Sequence, residues 1–239
     1  MSDKSKVYGM ILAGGKGTRM GNAEKPKQLM EICSKPVMIY TIEKFSLYSD
    51  FEKILVLAPK PWQKITEDII NKYIPDTSKI EVICGGATRN ETIMNGIAFI
   101  EENFGLDKDT VIVTHDAVRP FVTHRIIEEN VEFAKKYDAC DTVIPASDTI
   151  VKSDNGESIS EIPDRSQMYQ GQTPQSFKAL KLKKHYESLS EEEKSILTDA
   201  CKIMVLKGEH VHLVEGEVSN IKLTYPFDIK VATAMLEEK

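Results

Sequence analysis

Cysteine is scarce. Cys33, Cys84, Cys140 and Cys201 each lie more than 50 residues from the next, and no CxxC pair occurs. Neither a zinc ribbon nor a dithiol redox motif is written here, and the thiols read as buried groups of a reducing cytoplasm. Long apolar runs are missing too: none approaches the about 18 residues a membrane span requires, and the opening MSDKSK leads straight into a strand-like segment. A soluble, cytoplasmic protein with no membrane partner is expected. An excess of positive charge is also absent. With 31 basic against 37 acidic residues the net charge is -6, which disfavours nucleic acid and anionic surfaces as partners, so any anion site must be local. No internal repeat, low-complexity tract or linker divides the 239 residues, and 41% hydrophobic content can bury a full core. One domain over residues 1–239 is expected.

What is present is an alternation. The apolar runs VYGMILA (7–13), KILVLA (53–58), KIEVIC (79–84), TVIVTH (110–115) and DTVIPA (141–146) read as buried strands. Between them PVMIYTIEKFSL, WQKITEDIINKYI, NETIMNGIAFIEENF and HRIIEENVEFAKKY place apolar residues at three- and four-residue spacing, as amphipathic helices do. The reading is an α/β protein: a Rossmann-like, doubly wound, mostly parallel sheet whose ligand crevice lies at the strands' carboxyl ends. The rhythm breaks after residue 146. DTIVKSDNGESISEIP centres on Asp154-Asn155-Gly156, a two-residue hairpin signal, so a protruding β-arm is expected at about 146–166. Helical patterns return from Ser176 to Leu206, HVHLVEG and NIKLT read as short strands, and Pro226 opens a last helix.

The first strand runs into LAGGKGTRMG followed by EKPKQ. A Walker P-loop is excluded, because no Gly-Lys-Ser/Thr triplet exists. A dinucleotide fingerprint fits poorly: Gly15 and Gly17 are followed by Met20 where the third glycine belongs. A nucleotidyltransferase loop remains. In it bare glycines bring backbone N–H groups onto a triphosphate while Arg19 and Lys27 supply cations. A tight strand-to-helix turn with solvated lysines is the structural alternative.

LAGGKGTRMG with PKQ resembles the signature of the cytidylyltransferases that make CDP-alcohols from CTP and a polyol phosphate. The resemblance continues in order through GGATRNETIMNG (85–96), THDAVRPF (114–121), SDTIV (147–151), DRSQMYQGQTPQSF (164–177), LTDACKI (197–203) and SNIKLT (219–224). It implies attack of a polyol phosphate oxygen on the α-phosphorus of CTP, with pyrophosphate leaving and Mg²⁺ bound mainly through the CTP phosphates. By resemblance Arg19, Lys27 and Lys222 are catalytic. Leu12, Ala13, Gly14, Gly15, Gly17, Thr18, Gly86, Ala87 and Thr92 hold CTP. Asp116, Arg119, Thr149, Arg165 and Thr173 serve the polyol phosphate, with Asp116 also able to meet Mg²⁺ through water. Arg119 can equally organise its own loop, Arg89 can cap a helix beginning near Glu91, and His115 reads as structural because the chemistry needs no acid or base. In relatives the arm embraces a second subunit, so Thr149 and Arg165 are expected to complete a neighbour's site in a homodimer.

The family has a methylerythritol-phosphate branch and a ribitol-phosphate branch. DAVRPF, MYQGQTPQSF and LTDACKI resemble the second more than the first, in which DAARP and an LW pair are common. CDP-ribitol, a precursor for teichoic acid or polysaccharide, is therefore the expected product. A non-catalytic nucleotide sensor and an oxidoreductase on the same fold are the competing classes. The intact Arg19, Lys27 and Lys222 set weighs against the sensor, and the misplaced glycine weighs against the oxidoreductase.

Overall fold

The computed structural model describes residues 5–15 and 26–237. Gly17, Thr18 and Arg19 lie outside the described residues. The five apolar runs form β1 (Val7–Leu12), β4 (Phe51–Ala58), β5 (Ile80–Cys84), β6 (Val111–Asp116) and β7 (Ala139–Pro145), with a small antiparallel pair, β2 (Glu31–Ile32) and β3 (Lys35–Pro36), after β1. The amphipathic segments form α1 (Val37–Ser46), α2 (Gln63–Tyr73), α3 (Arg89–Phe104) and α4 (His124–Tyr137). Side chains alternate across the sheet as strand periodicity requires. Val7 and Ile11 of β1 join Ile54 and Val56 of β4 against α1, α2 and α4, whereas Tyr8, Met10, Leu55 and Leu57 join Ile93, Ile97 and Ile100 of α3 on the other face. Burial on both faces is why these strands read as unbroken apolar runs.

The sheet has seven strands in the order β5-β4-β1-β6-β8-β7-β9, where β8 is Tyr169–Lys178 and β9 is His212–Glu215. From β1 the chain winds outward to β4 and β5, then crosses back to β6 on the other side of β1. The order therefore reverses between β1 and β6, and the crevice of such a sheet opens there. Only β8 runs against its neighbours, antiparallel to both β6 and β7. α5 (Ala179–Glu187), α6 (Glu191–Ser195) and α7 (Cys201–Leu206) follow it, and α5 and α7 extend the core on the α3 face.

Three expectations are corrected here. The segment from Ser176 is not helical at once, because β8 continues to Lys178 and α5 starts only at Ala179. Asn220–Thr224 is not a strand: it is irregular chain tied down by side-chain bonds and by Leu223 N–H donating to Val118 O at 2.9 Å. The arm does leave the sheet between β7 and β8 and is almost wholly exposed, but its pairing is a single antiparallel bridge between Lys152 and Glu161 rather than a ladder closed by a two-residue turn. The Asn155 side chain organises that wider turn, with Oδ1 accepting from Glu157 N at 2.9 Å and Ser158 N at 3.0 Å. The last helix, α8 (Pro226–Glu237), begins at Pro226 as the sequence implies, with Asp228 Oδ2 accepting from the backbone N–H groups of Thr224 and Tyr225.

A half-buried acid, Asp141, sits where β7 meets β8. Gln175 Nε2 donates to Asp141 Oδ1 at 3.1 Å, but burial dominates and pushes the Asp141 carboxyl up to about 6. A carboxyl raised in the folded state stabilises the fold fully below its unfolded value, and that contribution is lost as pH rises through about 6. Asp141→Asn stays neutral throughout, so urea denaturation at pH 7.5 is expected to find it more stable than the parent by about 2 kcal/mol. The difference should shrink at pH 5. Equal stability of the two proteins at pH 7.5 would mean that Asp141 ionises without cost.

Candidate active site

At the reversal point, β1 hands over to Ala13, Gly14 and Gly15, β6 ends in Asp116, and the turn after β5 supplies Gly85 to Thr88 before α3 begins. Between them lies a cavity of about 240 Å³. Leu12, Gly14, Gly15 and Lys27 line one side, Gly86, Ala87 and Thr92 the other, and Asp116 and Lys222 the end. Of the residues expected at the site, Leu12, Gly14, Gly15, Lys27, Gly86, Ala87, Thr92, Asp116 and Lys222 stand around this one cavity.

The turn after β5 is held by its own side chains. Thr88 caps α3, accepting from Glu91 N at 3.1 Å, while Glu91 Oε2 accepts from Ala87 N at 2.8 Å. Thr92 Oγ1 accepts from Gly86 N at 3.0 Å and donates to Thr88 O at 2.8 Å. A Cβ on Gly86 would overlap Glu91 Cβ and stand 2.7 Å from the Glu91 carbonyl carbon, so only glycine fits. On the facing wall the Gln28 amide donates to Ala13 O, and Ala13 N donates to Leu57 O at 2.9 Å. Ala13 is therefore a buried support rather than a lining residue, which corrects its placement on the wall.

Asp116 is the electrostatic centre. Arg89 Nη1 donates to Asp116 Oδ1, Lys222 Nζ stands 2.9 Å from Oδ2, and Arg119 Nε lies 3.5 Å from the same oxygen. Burial alone would raise this carboxyl; Arg89, then Lys222 and Arg119, outweigh burial and hold it well below the usual carboxylate range. Asp116 is thus an anion at every working pH, able to accept hydrogen bonds and unable to act as an acid. Lys222 is 39% exposed at its side chain and Arg89 23%, so both can meet an incoming anion. Arg119 is 10% exposed, donates from Nη1 to Asn220 O at 2.7 Å and does not line the cavity. Its position is that of a loop organiser, and the substrate-contact expectation is corrected by that burial.

His115 is fully buried, and burial pulls its imidazole down to about 4. Its Nε2 meets Arg119 O at 3.1 Å and its Nδ1 meets Thr173 Oγ1 at 2.9 Å. Both ring nitrogens are thus engaged away from the cavity, which His115 does not line. Thr173, also buried, accepts from Asp116 N at 3.2 Å and so stands behind the site rather than on its wall. Thr149 and Arg165 lie on the exposed arm, Arg165 Nη1 donating to Ser147 O at 3.0 Å, and neither lines this cavity. The expectation that Arg89 caps the helix is corrected: the cap belongs to Thr88, and Arg89 turns to Asp116. Sequence reasoning did not single out Gln28, Thr88, Ala117 or Val118, although all stand inside the recognised blocks and line the cavity.

Among the described residues no group of three or more His, Cys, Asp or Glu side chains is arranged to hold a metal ion. Asp116 is the acid at the cavity, and three cations already occupy its oxygens. No described helix is long and apolar enough to cross a membrane.

A family model described as IspD, 2-C-methyl-D-erythritol 4-phosphate cytidylyltransferase, matches residues 7–238. A ribitol-5-phosphate cytidylyltransferase of Lactiplantibacillus plantarum is 53% identical over 233 residues, which are 98% of this chain and 99% of that protein. Among solved structures, a 4-diphosphocytidyl-2C-methyl-D-erythritol synthase from Anaerococcus prevotii superposes with a TM-score of 0.80 at 27% identity, covering 98% of this chain and 97% of that one. The 2-C-methyl-D-erythritol 4-phosphate cytidylyltransferase of Francisella tularensis gives 0.78 at 26% identity, covering 96% and 99% respectively.

Proposed function

Because the chain belongs to the IspD cytidylyltransferase family, we propose that it transfers CMP from CTP to D-ribitol 5-phosphate, giving CDP-ribitol and pyrophosphate. The observation that carries this is the cavity at the sheet's reversal point, where a glycine loop and Lys27 face a second glycine turn across a cation-ringed Asp116. The stronger likeness to the ribitol-phosphate enzyme supports the choice of polyol.

The nucleophile is a phosphate monoester oxygen. Its second pKa is about 6, so at neutral pH it is largely dianionic and needs no general base. The protein's task is to bring two polyanions together and to neutralise charge that builds on the transferring phosphorus. Lys27, Lys222 and Arg19 do this, and Asp116 accepts hydrogen bonds from polyol hydroxyls. A Mg²⁺ ion would ride on the CTP phosphates and supply further charge neutralisation; because the Asp116 oxygens are taken by cations, any contact of Asp116 with it would run through water. Gly14, with the turn at Gly86, Ala87 and Thr92, encloses the pyrimidine, and Gly15 serves the triphosphate. The whole chain acts as one domain, and the arm at about 146–166 embraces a second subunit, so that Thr149 and Arg165 reach the neighbour's polyol phosphate. The reaction belongs in the cytoplasm, where CTP is supplied.

Pyrophosphate release from CTP is the test, with ribitol 5-phosphate and 2-C-methyl-D-erythritol 4-phosphate compared side by side. Ribitol 5-phosphate is expected to give a kcat/KM at least about 100-fold higher, and ATP to replace CTP poorly. A preference for methylerythritol 4-phosphate would move the protein to the other branch, and comparable rates with ATP would undo the nucleotide assignment. In the same assay Gly86→Ala should raise KM for CTP about 10-fold or more, since relieving the overlap with Glu91 distorts the wall. An unchanged KM would remove that turn from the CTP site.

A further inference from the structure

Lys222 projects from chain that has no regular secondary structure, yet the chemistry proposed above needs its ammonium fixed. What fixes it is a closed ring of side-chain bonds. Asn220 Nδ2 donates to Thr173 O at 2.8 Å, Thr173 Oγ1 meets His115 Nδ1 at 2.9 Å, His115 Nε2 meets Arg119 O at 3.1 Å, and Arg119 Nη1 donates to Asn220 O at 2.7 Å. The direction of every bond is determined. A carbonyl only accepts, so Nε2 of His115 carries the proton. Its Nδ1 is then a lone pair and takes the Thr173 hydroxyl proton, leaving that hydroxyl to accept from Asp116 N–H at 3.2 Å. Each of the four residues donates once and accepts once around the ring.

The ring joins three places that carry the site: the end of β6 with Asp116, β8 with Thr173, and the irregular segment with Lys222. Asn220, His115 and Thr173 are buried, and Arg119 nearly so, so no bond in the ring is traded readily for water. Asn220 Nδ2 is also 3.1 Å from Gln172 Oε1, and Leu223 N–H on Val118 O closes the far side of the segment. Lys222 therefore sits between two anchors, with Asp116 at 2.9 Å from its Nζ.

We propose that Asn220 and His115 are positioning residues for cytidylyl transfer, acting through this ring to place Lys222 over the reacting phosphates. The inference rests on the cytidylyltransferase reading, and the wild-type assay checks that reading separately. The test is a double-mutant cycle between Asn220→Ala and Lys222→Ala. In the otherwise wild-type chain Asn220→Ala is expected to lower kcat about 10- to 100-fold, with KM for CTP changed less than about 3-fold. In the Lys222→Ala background the same change should cost less than about 2-fold more, because the group it positions is gone. An equal factor in both backgrounds, or wild-type kcat in Asn220→Ala, would overturn the proposal. His115→Gln keeps a donor and an acceptor and should retain more activity than His115→Ala; equal loss in both would count against the ring. Should Asn220→Ala fail to fold, the near-isosteric Asn220→Leu removes the donor to Thr173 O without leaving a cavity or burying a charge, and serves in the same cycle. Hydrogen exchange at the Leu223 amide gives a readout free of substrate. It should quicken in the Asn220 variant, and unchanged exchange would contradict the ring's hold on the segment even if the wild-type protein released no pyrophosphate.

Discussion

Lys222→Ala is expected to fold normally and bind CTP almost as well as the parent while losing about 100-fold or more in kcat. The ammonium stands 2.9 Å from Asp116 Oδ2, but Arg89 and Arg119 remain to pair that carboxylate, so the change leaves no buried charge alone. What it removes is a preorganised cation whose value rises as negative charge gathers on the transferring phosphorus. Lys27→Ala should behave alike. Its Nζ donates to Leu223 O at 3.2 Å, which sets the second lysine beside the segment that bears the first. Steady-state kinetics with CTP and ribitol 5-phosphate, with nucleotide affinity measured separately, provides the check. A variant with unchanged kcat would take that lysine out of the mechanism.

Arg165→Ala is expected to impair use of the polyol phosphate while CTP binding stays near normal, because a guanidinium facing a phosphate acts on that partner alone. Arg165 stands on an exposed arm and does not line the described cavity of its own chain; the expectation rests on the proposal that the arm completes the site of a second subunit. The arm also exposes Val151, Ile159 and Ile162 at 50%, 59% and 60%, apolar surface that a second subunit would cover. If the arm serves a second subunit as proposed, mixing Arg165→Ala with Lys27→Ala subunits, each strongly impaired alone, should restore activity. In the mixed dimer one site takes its arm from the Lys27→Ala chain and its loop from the Arg165→Ala chain, so both groups are present there. With random exchange about half the dimers are mixed and each has one intact site of two, so roughly a quarter of parental activity should return. No recovery despite demonstrated subunit exchange would mean that the arm serves its own chain.

β1, β4 to β7 and α1 to α4 were legible because the sheet is buried on both faces, so burial is written as apolar runs and as helical spacing; the two-residue strands β2 and β3 are too short to leave such a pattern. β8 was not. Its buried residues include Gln172, Thr173, Gln175 and Ser176, and their burial is repaid by distant side chains: Thr142 Oγ1 on Pro174 O, Thr114 Oγ1 on Gln175 O, and Ser176 Oγ on Asn130 Oδ1. A polar strand satisfied from three other elements has no local signature, and Pro174 argues against a strand at all. Asn220–Thr224 failed in the opposite sense, since Ile-Lys-Leu-Thr alternates like a strand but its anchors are the Asn220 side chain and one backbone bond from Leu223. Within the site, family motifs located Asp116, Lys27 and Lys222. Spacing offered Arg89 as a cap of α3 and could not show that it crosses to Asp116, because that contact depends on where the ends of β5 and β6 meet in the folded sheet. The arm was legible as an excursion through Asn155-Gly156, while its wider turn depends on hydrogen bonds to one asparagine oxygen.

The central claim is that a phosphate monoester oxygen attacks the α-phosphorus of CTP in this cavity. Ribitol 5-phosphate carrying ¹⁸O in its non-bridging phosphate oxygens, turned over with unlabelled CTP and followed by ³¹P NMR, tests it directly. The P–O bond that forms joins a labelled oxygen to the cytidylyl phosphorus, and the bond that breaks leaves its oxygen with pyrophosphate. The expected result is CDP-ribitol whose cytidylyl phosphorus bears one ¹⁸O, in the bridge, together with pyrophosphate free of label. Label in pyrophosphate, an unlabelled cytidylyl phosphorus, or no CDP-ribitol at all would contradict the account.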